Sequence, residues 1–195
     1  DKELPKFKAR IPIIVHPKDC MPSDDIQNNI KTNLPKIDRW IKHKCRINNE
    51  VIFVVSAGPS LDVKQLKEDM EDLEEGGKIV RIVCVKHSLP ILMKNNIIPW
   101  GCTLLDPRPI DGISTHGVVR STLFDSINPR TNFLVASMTD PSVVDLLQEK
   151  GASIIGWHAF SEAVKGGIEG TGEEALMITG GTNAGLRTIG IGHTL

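Results

Sequence analysis

Val51-Ile52-Phe53-Val54-Val55-Ser56-Ala57-Gly58-Pro59-Ser60-Leu61-Asp62 reads as a buried strand, a tight turn and the start of a helix. Five apolar residues in a row, without alternation, are the pattern of a strand covered on both faces. In the turn, Gly58 permits close approach or a positive φ, Pro59 stiffens the backbone, and Ser60 or Asp62 can cap the helix. That helix spans residues 62–75, highly charged, with Val63, Leu66, Met70 and Leu73 at helical spacing and Gly76-Gly77 as the stop. Free amides and the positive end of the dipole at such a helix start favour an anion. By spacing alone, a strand–helix turn without a ligand accounts for these residues equally well. Neither GxGxxG nor GxxxxGK[ST] occurs, which weighs against an ordinary dinucleotide fold or a P-loop.

The same alternation continues along the chain. Residues 79–85, 103–105, 132–136 and 153–157 read as strands, and 88–96 and 141–150 as helices, the latter capped by Asp140 and stopped by Gly151. A last helix opens after Gly180-Gly181 and runs over 182–195, and the glycine-rich residues 166–172 read as a loop. Strands and helices in this order predict parallel β-α-β units with right-handed crossovers. The expected fold class is therefore α/β, Rossmann-like, a mostly parallel sheet with helices on both faces. Two parts are expected: an N-terminal extension over 1–49, partly helical, and a Rossmann-like nucleotide-binding domain over 50–195. In the extension, Ser23 or Asp24 can cap a helix carrying Ile26, Ile30, Leu34, Ile37 and Ile41, although Pro35 allows two shorter ones. Because the chain stops inside its last helix, without a cap or a following strand, a longer parent protein is expected.

With 195 residues there is room for one hydrophobic core. A formal net charge of −1, with basic residues scattered, argues against a nucleic-acid polymer as partner. The absence of tyrosine argues against a base-stacking platform. No apolar run reaches the roughly 18–20 residues of a membrane span, and the charged residues 1–10 do not read as a signal peptide. Cys20, Cys45, Cys84 and Cys102 form no CxxC pair and read as buried free thiols, so a cytoplasmic location is expected. The six histidines show no metal spacing, and Trp40, Trp100 and Trp157 read as packing residues.

Ligands of open parallel sheets lie outside the carboxyl ends of the strands, where strand order reverses. In the usual order the first strand lies beside the fourth, which would set residues 56–60 opposite Ser137-Met138-Thr139. Lys86-His87 ends the second strand and Asp106-Pro107-Arg108 the third. Taken singly, each of these is more often a cap or turn residue than a contact; their recurrence on one edge is what suggests a site. Thr179-Gly180-Gly181-Thr182-Asn183 is a second glycine turn opening a helix, where Thr182 and Asn183 suit a phosphate or a base edge, or a simple N-cap. The expected ligand-binding residues are Ala57, Gly58, Pro59, Ser60, Lys86, His87, Asp106, Arg108, Ser137, Gly180, Gly181, Thr182 and Asn183. Asp106 is the best-placed carboxylate for a metal, with a salt bridge to Arg108 as the commoner explanation.

Residues 51–62, Asp106-Pro107-Arg108-Pro109, Ala136-Ser137 and Gly180-Gly181-Thr182-Asn183 together resemble the motility accessory factor group, which shares its domain with archaeal 6-hydroxymethylpterin diphosphokinase. The resemblance covers about residues 50–195. The two glycine turns are also similar to those with which bacterial sialyltransferases embrace a cytidine-monophosphate-activated sugar. That similarity implies nucleotide contacts from Gly58, Pro59, Ser60, Gly180, Gly181 and Thr182. Those transferases carry Asn after the second strand, where this chain has Lys86-His87, and their catalytic histidine would fall after Leu195. The resemblance implies a nucleotide-binding, transferase-like domain. Transfer of a nonulosonic acid from its cytidine monophosphate donor to a protein or glycan is favoured. Pterin diphosphokinase chemistry, with ATP and then Mg2+, and a non-catalytic binding or scaffold module are the alternatives.

Overall fold

The structure, a computed structural model, describes residues 21–42, 49–113, 118–125, 127–172, 176–179 and 184–195. Its strands are β1 (Glu50–Val55), β2 (Ile79–Val85), β3 (Gly101–Leu104), β4 (Asn132–Ala136), β5 (Ser153–Ala159) and β6 (Met177–Ile178). The helices are α1 (Ser23–Asn33), α2 (Val63–Glu75), α3 (Leu89–Lys94), α4 (Pro141–Glu149), α5 (Glu162–Ile168) and α6 (Ala184–Gly192). All pairings are parallel and the order is β1-β2-β3-β4-β5-β6, a curled half-barrel with helices around it. The α/β, Rossmann-like class expected from the sequence is the one observed.

The strand order is not the usual one. β2 and β3 separate β1 from β4, so the turn after β1 borders Lys86-His87 and does not face Ser137-Met138-Thr139. The reason lies in the connection between β3 and β4. A Rossmann sheet reverses its direction of growth there and crosses to the other face. Here a short 3-10 helix, Ser121–Phe124, keeps the chain on the same face, with Phe124 edge-on to Phe133 at 5.5 Å between ring centroids. From β1 to β5 each strand is added on the same side of the last, and right-handed connections then send the intervening helices α2, α3 and α4 to one face. Leu66 of α2, Leu89 and Leu92 of α3, and Val143, Val144 and Leu147 of α4 accordingly share one core with Val55, Cys84, Leu104 and Phe133. The opposite face presents Val83, Leu134, Ala136 and Trp157 to α1, α5 and α6.

α1 is bound to the sheet domain through this second core. Ile26 and Ile30 are fully buried, which contributes about 3–6 kcal/mol for the pair. The helix follows Pro22 with no side-chain cap from Ser23 or Asp24; Asp24 and Asp25 instead complement the dipole from its first turn. Pro35 then enters a 3-10 turn, Leu34–Lys36. The next residues lie along β5: the amide of Ile41 donates to the carbonyl of Gly156 at 2.9 Å, and that of Gly156 to Arg39 at 2.7 Å. Trp40 covers Gly156, whose added Cβ would fall 2.5 Å from the indole ring, and stacks on buried His158 at 4.6 Å. This strap takes one half of the outer edge of β5, and β6 takes the other by pairing with His158 and Ala159.

Two further readings change. Gly166 and Gly167, read as part of a loop, belong to α5, because α1 and α5 approach so closely that a Cβ at Gly167 would lie 2.7 Å from Ile30. β3 begins at Gly101, where the missing side chain admits Leu134 to 3.0 Å of the Cβ position. The tryptophans do pack: Trp157 is buried and donates its Nε1–H to the carbonyl of Leu134 at 3.0 Å, while Arg81 lies 5.2 Å over the ring of Trp100. Cys84 and Cys102 are buried free thiols, in register across β2 and β3; Cys20 and Cys45 lie outside the described residues.

Candidate ligand site at the carboxyl edge of the sheet

Because all six strands are parallel, their carboxyl ends open on one edge. Residues 56–60 stand there exposed. The turn is closed by the amide of Leu61 donating to the carbonyl of Gly58 at 3.1 Å. Asp62, and not Ser60, caps α2, accepting from the amides of Lys64 at 2.9 Å and Gln65 at 3.1 Å. Two amides of that helix start therefore already hold a carboxylate. The end of β1 is fixed from the turn between β2 and α3: the hydroxyl of Ser88 reaches the carbonyls of Val55 and Val85, both at 2.9 Å.

Beside this turn, the ends of β2 and β3 bring three charges together. Lys86 is buried, with its Nζ 3.6 Å from Oδ2 of Asp106. Arg108 grips the same carboxylate as a fork, Nε to Oδ1 at 2.8 Å and Nη2 to Oδ2 at 2.7 Å, and its own amide adds a bond to Oδ1 at 3.1 Å. Such paired charge-assisted bonds are the strong kind. Burial pushes the Asp106 carboxyl up, but the Arg108 hydrogen bonds and the positive charges of Lys86 and Arg108 outweigh it, leaving the acid stronger than usual. Burial pulls Lys86 below the ordinary lysine value, partly offset by Asp106. His87 is exposed, yet partial desolvation of its ring and the charge of Lys86 hold it below the ordinary histidine value of 6.5, hence neutral at pH 7. Among the described residues, Lys86 and Arg108 share the one carboxylate of Asp106, so these three groups together carry a net positive charge.

The end of β4 is different in kind. Ser137, Met138 and Thr139 are buried, clamped by two asparagines one turn apart on α1. Asn33 donates through Nδ2 to the carbonyls of Ser137 at 3.0 Å and Thr139 at 2.6 Å. Asn29 donates to those of Pro107 at 2.8 Å and Met138 at 3.2 Å. α1 thus ties the turn that carries Asp106 and Arg108 to the neighbouring strand end. The hydroxyl of Ser137 is fully buried under this clamp and has no hydrogen-bond partner among the described residues. At the far end of the edge, Arg187 of α6 donates to the carbonyls of Ile178 at 2.9 Å and Phe160 at 3.1 Å.

The structure thus groups Lys86, Asp106 and Arg108 tightly, with residues 57–60 and His87 beside them, and sets Ser137 apart under α1. Gly180, Gly181, Thr182 and Asn183 lie outside the described residues. Sequence reasoning missed Asn29, Asn33, Ser88 and Arg187. The two asparagines left a signal, since polar residues there interrupt the apolar stripe of Ile26 and Ile30. For a metal, Asp106 is a poor donor as it stands, both oxygens being engaged by cations. Among the described residues no group of three His, Cys, Asp or Glu is arranged to hold an ion.

No curated protein matches the chain in sequence. Its fold is similar to part of the Maf glycosyltransferase of Magnetospirillum magneticum AMB-1, with a TM-score of 0.53 and 15% sequence identity over 88% of this chain. The chain spans 25% of the length of that protein, so the likeness is one of fold. No helix among the described residues is long and apolar enough to cross a membrane. A family model described as 6-hydroxymethylpterin diphosphokinase MptE-like matches residues 24–195, from the second residue of α1 to the last of the chain. The chain belongs to the MptE-like family.

Proposed function

We propose that this chain is the nucleotide-binding module of a transferase, and that the donor's phosphate lies on the carboxyl edge between residues 57–60 and the Lys86–Asp106–Arg108 cluster. The observation that carries this reading is the net positive charge, partly buried, at the end of β2 and β3 beside an exposed glycine turn. Cations in a partly desolvated site act more strongly on a phosphate than they would in water, and they are in place before charge develops on a leaving group. A sugar activated by cytidine monophosphate, a nonulosonic acid, is the favoured donor, with a protein or glycan hydroxyl as acceptor. Its leaving group needs only such cations and amides. The binding residues are Ala57, Gly58, Pro59, Ser60, Lys86, His87 and Arg108, with Gly180, Gly181, Thr182 and Asn183, which precede α6 in the sequence and lie outside the described residues.

The family description supports a second reading, diphosphate transfer from ATP to a pterin. Magnesium would then have to be held largely by the nucleotide, because Asp106 is engaged by Arg108 and Lys86. A thermal-shift panel of cytidine monophosphate, cytidine triphosphate, ATP with and without magnesium, and a pterin separates the readings. Ligand at 100 times its dissociation constant adds about 2.7 kcal/mol, or roughly 5–11 °C for a domain of this size. A shift with cytidine monophosphate is the expected result. A magnesium-dependent ATP shift in its place would support the diphosphokinase, and no shift with any nucleotide would refute both.

A further inference from the structure

We propose that Asp106 is a built-in counter-anion: its carboxylate occupies the anion seat formed by Arg108 and Lys86, and an incoming phosphate must compete with it. The inference deepens the proposed nucleotide-binding function and rests on it for the identity of the phosphate. The geometry of the pair is the first argument. Arg108 meets Asp106 through Nε and Nη2 at 2.8 and 2.7 Å, the same fork that guanidinium offers to two oxygens of a phosphate. Exposure is the second. The Arg108 side chain is 26% exposed, whereas those of Lys86 and Asp106 are 11% and 6% exposed. A ligand arriving from solvent therefore meets the guanidinium first, with the carboxylate behind it.

Rigidity is the third. The carbonyl of Pro107 is held by Asn29 at 2.8 Å and that of Asp106 by the amide of Asp140 at 3.3 Å. The backbone that carries both charges is fixed, so the exchange of one anion for another falls to side chains. A purely structural carboxylate would need only to neutralise Lys86. This one is also shared with a solvent-facing arginine two residues away. The consequence is a threshold: a free anion must work against a resident negative charge, while a nucleotide also held on residues 57–60 can overcome it. Removing a unit charge several ångströms from a phosphate near the surface is worth roughly a fivefold or greater gain in affinity.

Isothermal titration of the wild-type chain and of Asp106→Asn with orthophosphate, cytidine monophosphate and cytidine tests this. Orthophosphate and cytidine monophosphate should both bind Asp106→Asn at least about fivefold more tightly, with the gain shrinking as salt is added; cytidine should be unaffected. Weaker or unchanged binding of both phosphates would overturn the proposal. A second measurement does not depend on the variant folding: the Arg108 Nε–H resonance of the wild-type chain should move as cytidine monophosphate saturates it. Saturation without that movement would also overturn it. If wild type binds no cytidine monophosphate, the proposed function fails by itself, and the orthophosphate comparison still decides the counter-anion.

Discussion

Replacing Asn33 by alanine would remove the larger part of the clamp between α1 and the end of β4, leaving Asn29 on Met138, without touching a charge. The Asn33 amide nitrogen donates to two buried carbonyls, Ser137 at 3.0 Å and Thr139 at 2.6 Å, and the side chain is fully buried. Stranding two buried acceptors costs about 2–4 kcal/mol. Against this, Oδ1 of Asn33 has no hydrogen-bond partner among the described residues, and its removal relieves roughly 1 kcal/mol of the desolvation already incurred. The net loss is about 2 kcal/mol, which lowers the melting temperature by roughly 4–8 °C for a domain of this size. Asn33→Asp keeps the shape but sets a carboxylate against the same two carbonyls, so it should destabilise more than alanine. Urea unfolding followed by tryptophan fluorescence reads this directly, because Trp157 lies on the adjoining strand, its carbonyl bonded to the amide of Ser137 at 2.8 Å. The midpoint should fall with the slope unchanged. If Asn33→Ala melts within a degree of wild type, or the aspartate is the milder variant, the clamp does not bind α1 to the sheet.

Gly156→Ala places a methyl group about 2.5 Å from the Trp40 ring and should cost roughly 1–3 kcal/mol by overpacking. Combined with Trp40→Ala, the same change should cost much less than the sum of the single variants, and additivity would refute the contact. Asp106 is a stronger acid folded than unfolded, so its contribution to stability is present above the ordinary value of 3.8 and is lost as the pH falls below it. The stability difference between wild type and Asp106→Asn should therefore shrink on acidification, and a difference that grows instead contradicts the pairing. A hydrogen bond to Cys84 and burial push the Cys102 thiol well above its ordinary range. Peptide mapping after alkylation should find Cys84 and Cys102 unlabelled in the native chain and labelled in urea.

What was legible in the sequence is what short stretches encode. Residues 51–55 declare a strand, Asp140 a cap and Gly151 a stop, and the fold has each of them in place, although β1 lies at the edge of the sheet and is half-buried, with only Val55 buried outright. Strand order is not local in this sense: it depends on whether the connection from β3 crosses the sheet, which Phe124 decides by packing on Phe133. Met177–Ile178 is too short to carry a pattern. Gly166 and Gly167 look like a loop until Ile30 and Gln27 supply the reason for two glycines inside a helix. At the site, Arg108 and Asp106 could be paired from their spacing. Lys86 could not, since its approach to Asp106 comes from β2 lying beside β3.

The strap around Trp40 has a kinetic consequence. Each strand from β1 to β5 pairs with the one before it, so that part of the sheet can zip along the chain with modest loop closures. The bridge from Trp40 to Gly156 is the exception, joining residues separated by more than half of the chain. It cannot form until β5 exists, and it behaves as a latch that shuts after the sheet is built. Changes at Trp40 should then leave the folding rate nearly untouched and appear almost wholly as faster unfolding. The lifetime of the folded domain, more than its speed of assembly, is set by residues that precede the sheet.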